Sequence, residues 1–434
     1  MKIALVFCSI DNIFNKCQAG VFSLFESNPP LGLGAIGTIA KEEGHEVRIF
    51  DQFLHHYDNE RLIKEVLRFE PDIVGFSCTS LNIENSKKCA IELKKNERMV
   101  FAGGIHISLC LEKVRKAHVF DFLISGEGEE VFRDFLNQYC NGTKLADIKI
   151  KGYSFADDSE VVDNAILCNI NQPIIDRSLF ELNLYSNKGA LLTEQPCYSI
   201  FSSRGCPYHC KFCSKPDYFK LYRKLDIDRV IQEIKELISV YGAKSISFRE
   251  DNFTIDINRL KLFCGRMIDE FSGNFFWECE SRADLPKDVL QLMFDAGCRG
   301  IWCGVETVVP KWSEWINKEL TKEKVVKFYD DCEDIGIKTG ALFMFGFPYQ
   351  TDEEIDADVE FATSLPTVFS AFQCLAIFPG SPLFDFYNEN PSLKYDITEG
   401  VSLGLIQGHT FQEMISMERE INRRIKSSRY LEKD

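Results

Sequence analysis

Residues 204–213 read Arg-Gly-Cys-Pro-Tyr-His-Cys-Lys-Phe-Cys, and this short stretch carries the most informative pattern in the chain. Its three cysteines, Cys206, Cys210 and Cys213, have the spacing Cys-x3-Cys-x2-Cys. A cubane iron–sulfur cluster is normally bound by four thiolates, so three on one loop leave one iron without a protein ligand. The spacing therefore predicts a [4Fe-4S] cluster with an open coordination position at which chemistry occurs.

His209 lies inside the same loop and supports a second interpretation. Structural zinc sites have four ligands drawn from cysteine and histidine, and His209 would complete such a set. Four ligands so close in sequence would form a cramped zinc site that lacks the usual second ligand pair. The loop by itself favours the cluster and leaves zinc as the alternative.

The composition limits the class of protein. A chain of 434 residues predicts two or three domains. Its 17 cysteines have no pairing rhythm, which is typical of a reducing compartment. A net charge of −16 argues against nucleic acid as the main partner, because phosphate binding needs a basic surface. No apolar run reaches the ~18–20 residues of a membrane span, and Met1-Lys2 leads directly into an apolar strand. We therefore expect a cytoplasmic protein without a signal peptide or membrane span.

Residues 1 to about 140 alternate between apolar strand-like runs and amphipathic helical stretches. This alternation predicts an N-terminal open parallel sheet of the Rossmann or flavodoxin-like type. In such sheets ligands bind beyond the carboxyl ends of the strands. The predicted strands are 3–7, 44–51, 72–77, 100–106 and 122–129.

The rest of the chain divides into three parts. Residues 141–195 form a polar connector, from which we expect a strand or two packed on the first domain. From about 196 to 385 the strand and helix alternation resumes, and six βα units after the cysteine loop predict a partial (β/α)6 barrel. Its active site would lie at the carboxyl ends of the strands, as in the full barrel. Residues 386–434 form a short tail, with a helix expected at 410–427.

The cysteine loop, with Phe212 directly before its third cysteine, resembles the loop of the radical S-adenosylmethionine (radical SAM) enzymes. In that family the open iron is chelated by the amino and carboxylate groups of S-adenosylmethionine (SAM). One electron from the cluster then cleaves the sulfonium and gives a 5′-deoxyadenosyl radical. The resemblance implies that Cys206, Cys210 and Cys213 bind the cluster.

The resemblance extends to the ends of the predicted barrel strands. It implies that acidic residues after strand 244–248 contact the methionyl amine of SAM. It also implies that Arg282 lies near the SAM carboxylate, which a guanidinium suits, and that Glu306 holds the ribose. The turn Gly-Phe-Pro at 346–348 is also typical of the family. The residues predicted to contact SAM are Phe212, Glu250, Asp251, Arg282, Glu306 and Phe345.

Four loops at the strand ends of the first domain resemble the cobalamin-binding domain that precedes many radical SAM cores. They read Pro-Leu-Gly-Leu at 30–33, Asp-Ile-Val-Gly at 72–75, Gly-Gly-Ile-His at 103–106 and Gly-Glu-Gly-Glu at 126–129. Glycine lets the backbone approach a large flat ligand closely, although any one of these loops could simply turn the chain of a flavodoxin-like domain. The residues predicted to contact cobalamin are Leu31, Gly32, Thr79, Ser80, Gly103, Gly104, His106, Gly126, Glu127 and Gly128.

One feature of other cobalamin proteins is missing. They supply a lower axial histidine to cobalt from an Asp-x-His-x-x-Gly loop, whereas His55 and His56 follow Asp51 at a different spacing. Many cobalamin-dependent radical SAM enzymes also lack that histidine. The sequence therefore leaves open whether cobalamin binds without a protein ligand or does not bind.

The resemblance implies a cobalamin-dependent radical SAM methyltransferase acting on an unactivated carbon of a small metabolite. In such enzymes the adenosyl radical abstracts hydrogen from the substrate and methylcobalamin delivers the methyl group. The alternative is a non-methylating radical reaction with the same domains, such as dehydration, ring rearrangement or epimerisation. A non-catalytic cobalamin sensor fits poorly with a complete cysteine loop and barrel. The implied partners are a small-molecule substrate and a one-electron donor such as flavodoxin or ferredoxin.

Overall fold

Two six-stranded sheets, one in each half of the chain, form the framework of the protein. No helix in the described part of the chain is long and apolar enough to cross a membrane. The structure, a computed structural model, describes residues 1–10, 28–155, 167–171, 174–185, 194–398 and 400–430.

The first sheet has the strand order β2-β1-β3-β4-β5-β6, with the first five strands parallel and β6 antiparallel to β5. Buried apolar clusters lie on both of its faces. Its strands are β1 (Lys2–Phe7), β2 (Glu46–Asp51), β3 (Ile73–Ser77), β4 (Met99–Gly103), β5 (Phe122–Ile124) and β6 (Tyr153–Phe155). Its helices are α1 (Leu31–Glu42), α2 (Gln52–His55), α3 (Asn59–Arg68), α4 (Ile83–Lys95), α5 (Ile105–Leu109), α6 (Leu111–Lys116) and α7 (Gly128–Cys140).

This topology confirms the predicted flavodoxin-like sheet, and its 2-1-3-4-5 order places a crevice at the carboxyl edge between β1 and β3. Two predicted strands are shorter than expected. The strand predicted at 100–106 ends at Gly103, and the one predicted at 122–129 ends at Ile124. Gly104 (φ +102°) and Gly126 (φ +85°) follow these ends, and a positive φ turns the chain out of extended structure. Strand β6 lies inside the predicted connector, which therefore contributes a strand to this sheet as expected.

The second sheet has the order β14-β13-β12-β11-β10-β7, and all of its strands are parallel. Strands β8 and β9 pair with each other outside it. The strands are β7 (Cys197–Ile200), β8 (Ser203–Arg204), β9 (Arg223–Lys224), β10 (Ser245–Phe248), β11 (Phe276–Ser281), β12 (Cys298–Glu306), β13 (Lys338–Phe345) and β14 (Phe369–Cys374). The helices are α8 (Ile227–Tyr241), α9 (Ile257–Phe271), α10 (Lys287–Asp295), α11 (Pro310–Trp315), α12 (Lys322–Ile335) and α13 (Asp352–Ser364).

The prediction of six βα units after the cysteine loop was wrong by one, because β7 precedes the loop and five sheet strands follow it. The four residues of β7, Cys-Tyr-Ser-Ile, are too few to show a strand period in the sequence. Tertiary contacts stabilise this short strand. Ser199 is buried, and its carbonyl accepts a hydrogen bond from Arg177 at 2.9 Å.

An aromatic cluster fixes the carboxyl end of β10. Phe248, Phe253, Phe263 and Trp277 are buried, and the ring centroid of Phe248 lies 4.3–5.8 Å from those of the other three. Such aromatic pairs contribute about 0.5–1.5 kcal/mol each beyond their burial. The cluster therefore packs α9 onto β10 and β11 and holds residues 249–253 in place.

The C-terminal part contains more strand than the predicted helical tail. A three-stranded antiparallel sheet, in the order β15-β17-β16, precedes the long final helix. That helix carries Glu418 and Asn422, which accept hydrogen bonds from the backbone N–H groups of Cys374 and Phe372 in the edge strand β14. The helix thereby covers the edge of the second sheet at β14, which would otherwise be exposed. The elements are β15 (Ala376–Ile377), α14 (Pro382–Glu389), β16 (Lys394–Thr398), β17 (Val401–Gly404) and α15 (Phe411–Tyr430).

Candidate active site

The cysteine loop leaves β8 through a glycine that the geometry requires. Gly205 has φ +87°, and a Cβ there would overlap the carbonyl oxygen of Leu221 and lie 2.6 Å from that of Phe219. The N–H of Cys206 donates to the same Phe219 carbonyl at 3.0 Å. The close approach of these two backbone segments fixes the start of the loop.

The three cysteines of the loop line one cavity of about 300 Å³ at the carboxyl end of the second sheet. Burial raises the pKa of the Cys210 thiol and raises that of Cys213 to about 11. The raised pKa values favour the protonated thiols, whereas a bound metal ion deprotonates a coordinating thiol outright. Three cysteines that line one cavity are suited to hold a metal group.

The zinc alternative depends on the position of His209 relative to the cysteines. Among the described residues, no three His, Cys, Asp or Glu side chains converge as the ligands of a single ion would. His209 is exposed to solvent at the rim of the loop. A cubane places each thiolate on a different iron, so its cysteines need not converge on one point.

Four of the six residues predicted to contact SAM line the same cavity: Phe212, Asp251, Arg282 and Glu306. Lys318 connects three of them. Its ammonium lies 3.0 Å from Glu306 Oε1 and 6.0 Å from the ring centroid of Phe212, and its carbonyl accepts a hydrogen bond from Arg282 at 2.6 Å. The cavity wall is thus a connected set of charged and aromatic groups.

Glu306 occupies an unusual position at the end of β12. It has φ +69°, and the neighbouring Gly304 leaves space for its carboxylate, since a Cβ at Gly304 would overlap Glu306 Oε1. Non-glycine residues with positive φ are rare and often mark functional sites. The backbone here is arranged to hold the carboxylate against the cavity.

The other two predicted SAM residues do not line this cavity. Phe345 is fully buried in the core. Glu250 lines a neighbouring cavity instead, where it accepts hydrogen bonds from the N–H of Ser202 at 2.6 Å and the hydroxyl of Ser203. Burial raises the pKa of Glu250. Their assignment to SAM stays a prediction that the geometry does not favour.

Several polar residues of the cavity were not singled out in the sequence. Glu280 lies two residues before Arg282, and alternate residues of a strand face the same side, so this spacing was a usable signal. Burial raises the pKa of Glu280 to about 7. Lys215 forms an ion pair with Asp251 at 2.9 Å. The two residues are 36 positions apart in the chain, so this pair was not evident from the sequence. The cavity residues without an assigned role include Lys215, Arg249, Glu280, Trp302 and Lys318.

A second cavity, of about 340 Å³, lies between the carboxyl edge of the first sheet and the second domain. Apolar residues such as Leu5, Phe76 and Ile124 contribute to its wall. A Cβ at Gly32 would meet no atom of the described residues within 4 Å, so none of them fills the space beside this glycine. Six of the predicted cobalamin residues line it: Gly32, Gly103, Gly104, Gly126, Glu127 and Gly128.

The remaining four predicted cobalamin residues lie outside the lining of this cavity. Leu31 is buried, and the N–H of Thr79 donates to Asn82 at 2.7 Å. Ser80 and His106 are buried and hydrogen-bonded to each other, with 2.9 Å between Oγ and Nδ1. Their cobalamin contacts stay predictions.

The two cavities adjoin. Arg249 and Asp251, at the carboxyl end of β10, line both of them. A group bound beside the cysteine loop and a group bound on the glycine loops would therefore face a shared space.

Glu127 connects the two domains. Its carboxylate pairs with Arg223 and lies 3.2 Å from Arg204, while Arg204 also lies 2.5 Å from Glu129. The N–H of Cys168 in the connector donates to Glu127 at 2.7 Å. This residue, predicted to contact cobalamin, is thus already engaged in an ion-pair network that we name the interdomain ion pairs.

The interdomain ion pairs predict a pH-dependent contribution to stability. Burial by itself raises the pKa of Glu127, but the hydrogen bond from Arg223 and the charges of Arg204 and Arg223 outweigh it and lower the pKa. Removing one member of a buried ion pair lowers the free energy of unfolding by about 3–5 kcal/mol. We expect the loss in Glu127→Gln to lie at the low end, because Arg204 still forms its ion pair with Glu129. Urea denaturation at neutral pH measures the loss.

The sign of the pH effect follows from the lowered pKa. The carboxylate contributes its full stability above the ordinary glutamate pKa of about 4.3 and loses it as pH falls through the lower value of the folded state. The difference between wild type and Glu127→Gln should therefore shrink over that range. Glu420→Gln is the control, because its pair with Arg423 is exposed and contributes little. An equal loss in both variants would contradict the prediction.

Comparison with known proteins agrees with this arrangement. The family model of the B12 binding domain matches residues 19–136, and that of the Radical SAM superfamily matches residues 200–362. The chain therefore belongs to the radical SAM enzymes that carry an N-terminal B12-binding domain. The cofactors of this class are a [4Fe-4S] cluster, SAM and cobalamin, and both cavities carry residues that fit them.

Individual relatives support the same class. An uncharacterized methyltransferase of Pyrococcus horikoshii is 28% identical over 395 residues, which cover 89% of this chain and 83% of the relative. The anaerobic magnesium-protoporphyrin IX monomethyl ester cyclase of Cereibacter sphaeroides is 26% identical and covers 85% of this chain, with 61% of the relative matched. The fold is similar to that of the radical SAM methyltransferase TsrM from Kitasatospora setae, with a TM-score of 0.75 and 16% identity over 98% of this chain and 89% of that one.

Proposed function

We propose that this chain is a cobalamin-dependent radical SAM methyltransferase that methylates an unactivated carbon of a small molecule. The main observation behind the proposal is that the two cavities adjoin, since Arg249 and Asp251 line both of them. Methyl transfer to a carbon radical needs both cofactors to reach one substrate. Two adjoining cavities, one beside the cysteine loop and one on the glycine loops, meet that requirement.

Specific residues would hold each cofactor. Cys206, Cys210 and Cys213 would bind the cluster, and Glu306 and Arg282 would hold polar groups of SAM through charge-assisted hydrogen bonds. When bound, the cofactors supply the electron, the radical and the methyl group, while the protein positions them and excludes water.

The cobalamin site would consist of the glycine-lined cavity of the first domain. Six glycine-loop residues border it, and five of them are glycines, whose backbone would allow a flat ligand to lie close. Glu127, in contrast, would act on cobalamin indirectly, by holding the second domain against this cavity.

The cellular setting is also part of the proposal. Every described cysteine is free, which suits a reducing compartment. We therefore place the protein in the cytoplasm, with a flavodoxin or ferredoxin as the one-electron donor of the cluster.

The reaction type can be tested with SAM that carries a trideuterated methyl group. Reconstituted enzyme, cobalamin, a reductant and a fractionated metabolite extract are incubated without oxygen, and products are analysed by mass spectrometry. We expect 5′-deoxyadenosine together with a product that contains the deuterated methyl group. Release of 5′-deoxyadenosine with an altered but unlabelled product would favour the non-methylating alternative.

The cobalamin cavity can be tested at Gly32. Gly32→Leu should fill the open space beside α1 and weaken cobalamin binding by about tenfold or more, since a steric overlap of one side chain costs about 1–3 kcal/mol. Visible absorbance titration measures the affinity. Gly265→Leu is the matched control. Gly265 also lies in a helix with no atom of a described residue within 4 Å of its Cβ position, but it borders neither cavity. Equal affinities in both variants would contradict this site.

A further inference from the structure

Arg249 lies where the two cavities adjoin. It follows β10, and its side chain is 17% exposed. Its Nε and Nη2 atoms are buried and have no hydrogen-bond partner within the part of the chain that the structure describes. A buried guanidinium whose donors are unused is unfavourable unless a ligand supplies the acceptors.

The other cations in the lining of the cysteine cavity are already engaged. Lys215 pairs with Asp251 at 2.9 Å and Lys318 with Glu306 at 3.0 Å. Arg282 donates to the carbonyl of Lys318 at 2.6 Å. On the side of the glycine-lined cavity, Arg204 belongs to the interdomain ion pairs. Arg249 therefore differs from these cations in that its Nε and Nη2 have no hydrogen-bond partner among the described residues.

The nearest acid does not satisfy Arg249. Glu278 Oε1 lies 3.9 Å from Nη2, which is beyond hydrogen-bond distance. The same oxygen accepts a hydrogen bond from the hydroxyl of Ser247 at 2.8 Å. Glu278 and the nearby Glu280 offset the positive charge of Arg249 but leave its donors available. A planar guanidinium with available donors is suited to a carboxylate or phosphate, which it binds through two parallel hydrogen bonds.

We propose that Arg249 binds an anionic group of the substrate, a carboxylate or a phosphate, and so holds the substrate between the two cofactor sites. The inference rests on the proposed function, because it takes the shared space to be the substrate site. It narrows the substrate class to small molecules that carry a negative charge near the reacting carbon. Arg249 then acts as a substrate-binding and positioning residue.

The test uses inorganic phosphate and acetate as probes of the two anion types. Each is added to enzyme reconstituted with cluster and cobalamin, and binding is followed by ligand-observed NMR, through ³¹P line width for phosphate and ¹H saturation transfer for acetate. We expect at least one probe to bind and its affinity to fall by about tenfold in Arg249→Gln, through loss of a charge-assisted pair. Binding of phosphate alone assigns a phosphorylated substrate, and binding of acetate alone assigns a carboxylate.

Controls separate this site from other anion sites. Arg68→Gln removes an exposed arginine paired with Glu65 and should leave binding unchanged. Arg249→Lys keeps the charge without the planar fork and should bind with intermediate affinity, which also guards against misfolding of the glutamine variant. Equal binding by wild type and both Arg249 variants, or no binding of either probe, would overturn the proposal.

A measurement at saturating SAM distinguishes a substrate-binding role of Arg249 from a SAM-binding role. If the anion still binds with SAM present, Arg249 serves the substrate. If SAM abolishes the binding, the guanidinium serves the SAM carboxylate instead and the proposal is wrong. The assay involves no methyl transfer, so its failure is distinguishable from a failure of the proposed reaction.

Discussion

A variant in which Cys206, Cys210 and Cys213 are all replaced by alanine should fold but bind no iron–sulfur cluster. The three thiolates are the cysteine ligands of the loop, and the other described cysteines lie elsewhere in the fold. After anaerobic reconstitution we expect about four irons per wild-type chain and close to none in the variant. Release of 5′-deoxyadenosine from SAM should be lost with the cluster.

The control for this variant is Cys140→Ala, which removes an exposed cysteine at the end of α7. It should keep the iron content and visible absorbance of the wild type. Circular dichroism checks that the triple variant is folded. Full cluster absorbance in the triple variant would contradict the assignment of these cysteines as cluster ligands. Binding of a single zinc ion by the wild type would instead support the zinc site that includes His209.

The second largest effect is expected from Gly205→Ala. A positive φ costs a non-glycine residue about 1–3 kcal/mol. The added Cβ would also overlap the carbonyl oxygen of Leu221, a backbone atom that cannot move aside as a side chain does. The loop must shift, so we expect lower stability and a loss of at least half of the iron, through misplacement of Cys206. Iron analysis and urea denaturation measure the two effects.

Gly265→Ala is the matched control for this substitution. Gly265 lies inside α9, where alanine is favoured over glycine by about 0.5–1 kcal/mol. In the part of the chain that the structure describes, no atom lies within 4 Å of its Cβ position. It should be slightly stabilising and leave the cluster intact. Wild-type stability and iron content in Gly205→Ala would show that the loop tolerates a side chain and that its backbone geometry is not required.

Much of the architecture was accessible from sequence, because its signals are local. The spacing of Cys206, Cys210 and Cys213 lies within one loop, and amphipathic helices such as α8 and α9 carry their period in a single segment. Most of the order of strands and helices followed from these signals, whereas β7 and the C-terminal three-stranded sheet did not.

The site was only partly predictable for the opposite reason. Whether a residue at a strand end faces the cavity depends on strand direction and on packing against segments far away in the chain. Phe345 and Glu250 matched a sequence pattern, yet the first packs into the core and the second bonds to Ser202 and Ser203. The assignments of single residues to SAM and cobalamin stay predictions.

The sequence by itself determined the class of protein: a sheet domain with glycine loops followed by a barrel with a three-cysteine loop. Only the tertiary structure decided that Glu127 joins the domains and that Arg249 lines both cavities. It also showed that two nitrogens of Arg249 have no hydrogen-bond partner among the described residues. The reason is physical. A motif is set by neighbours along the chain, whereas the state of a charge is set by groups that folding brings within a few ångströms of it.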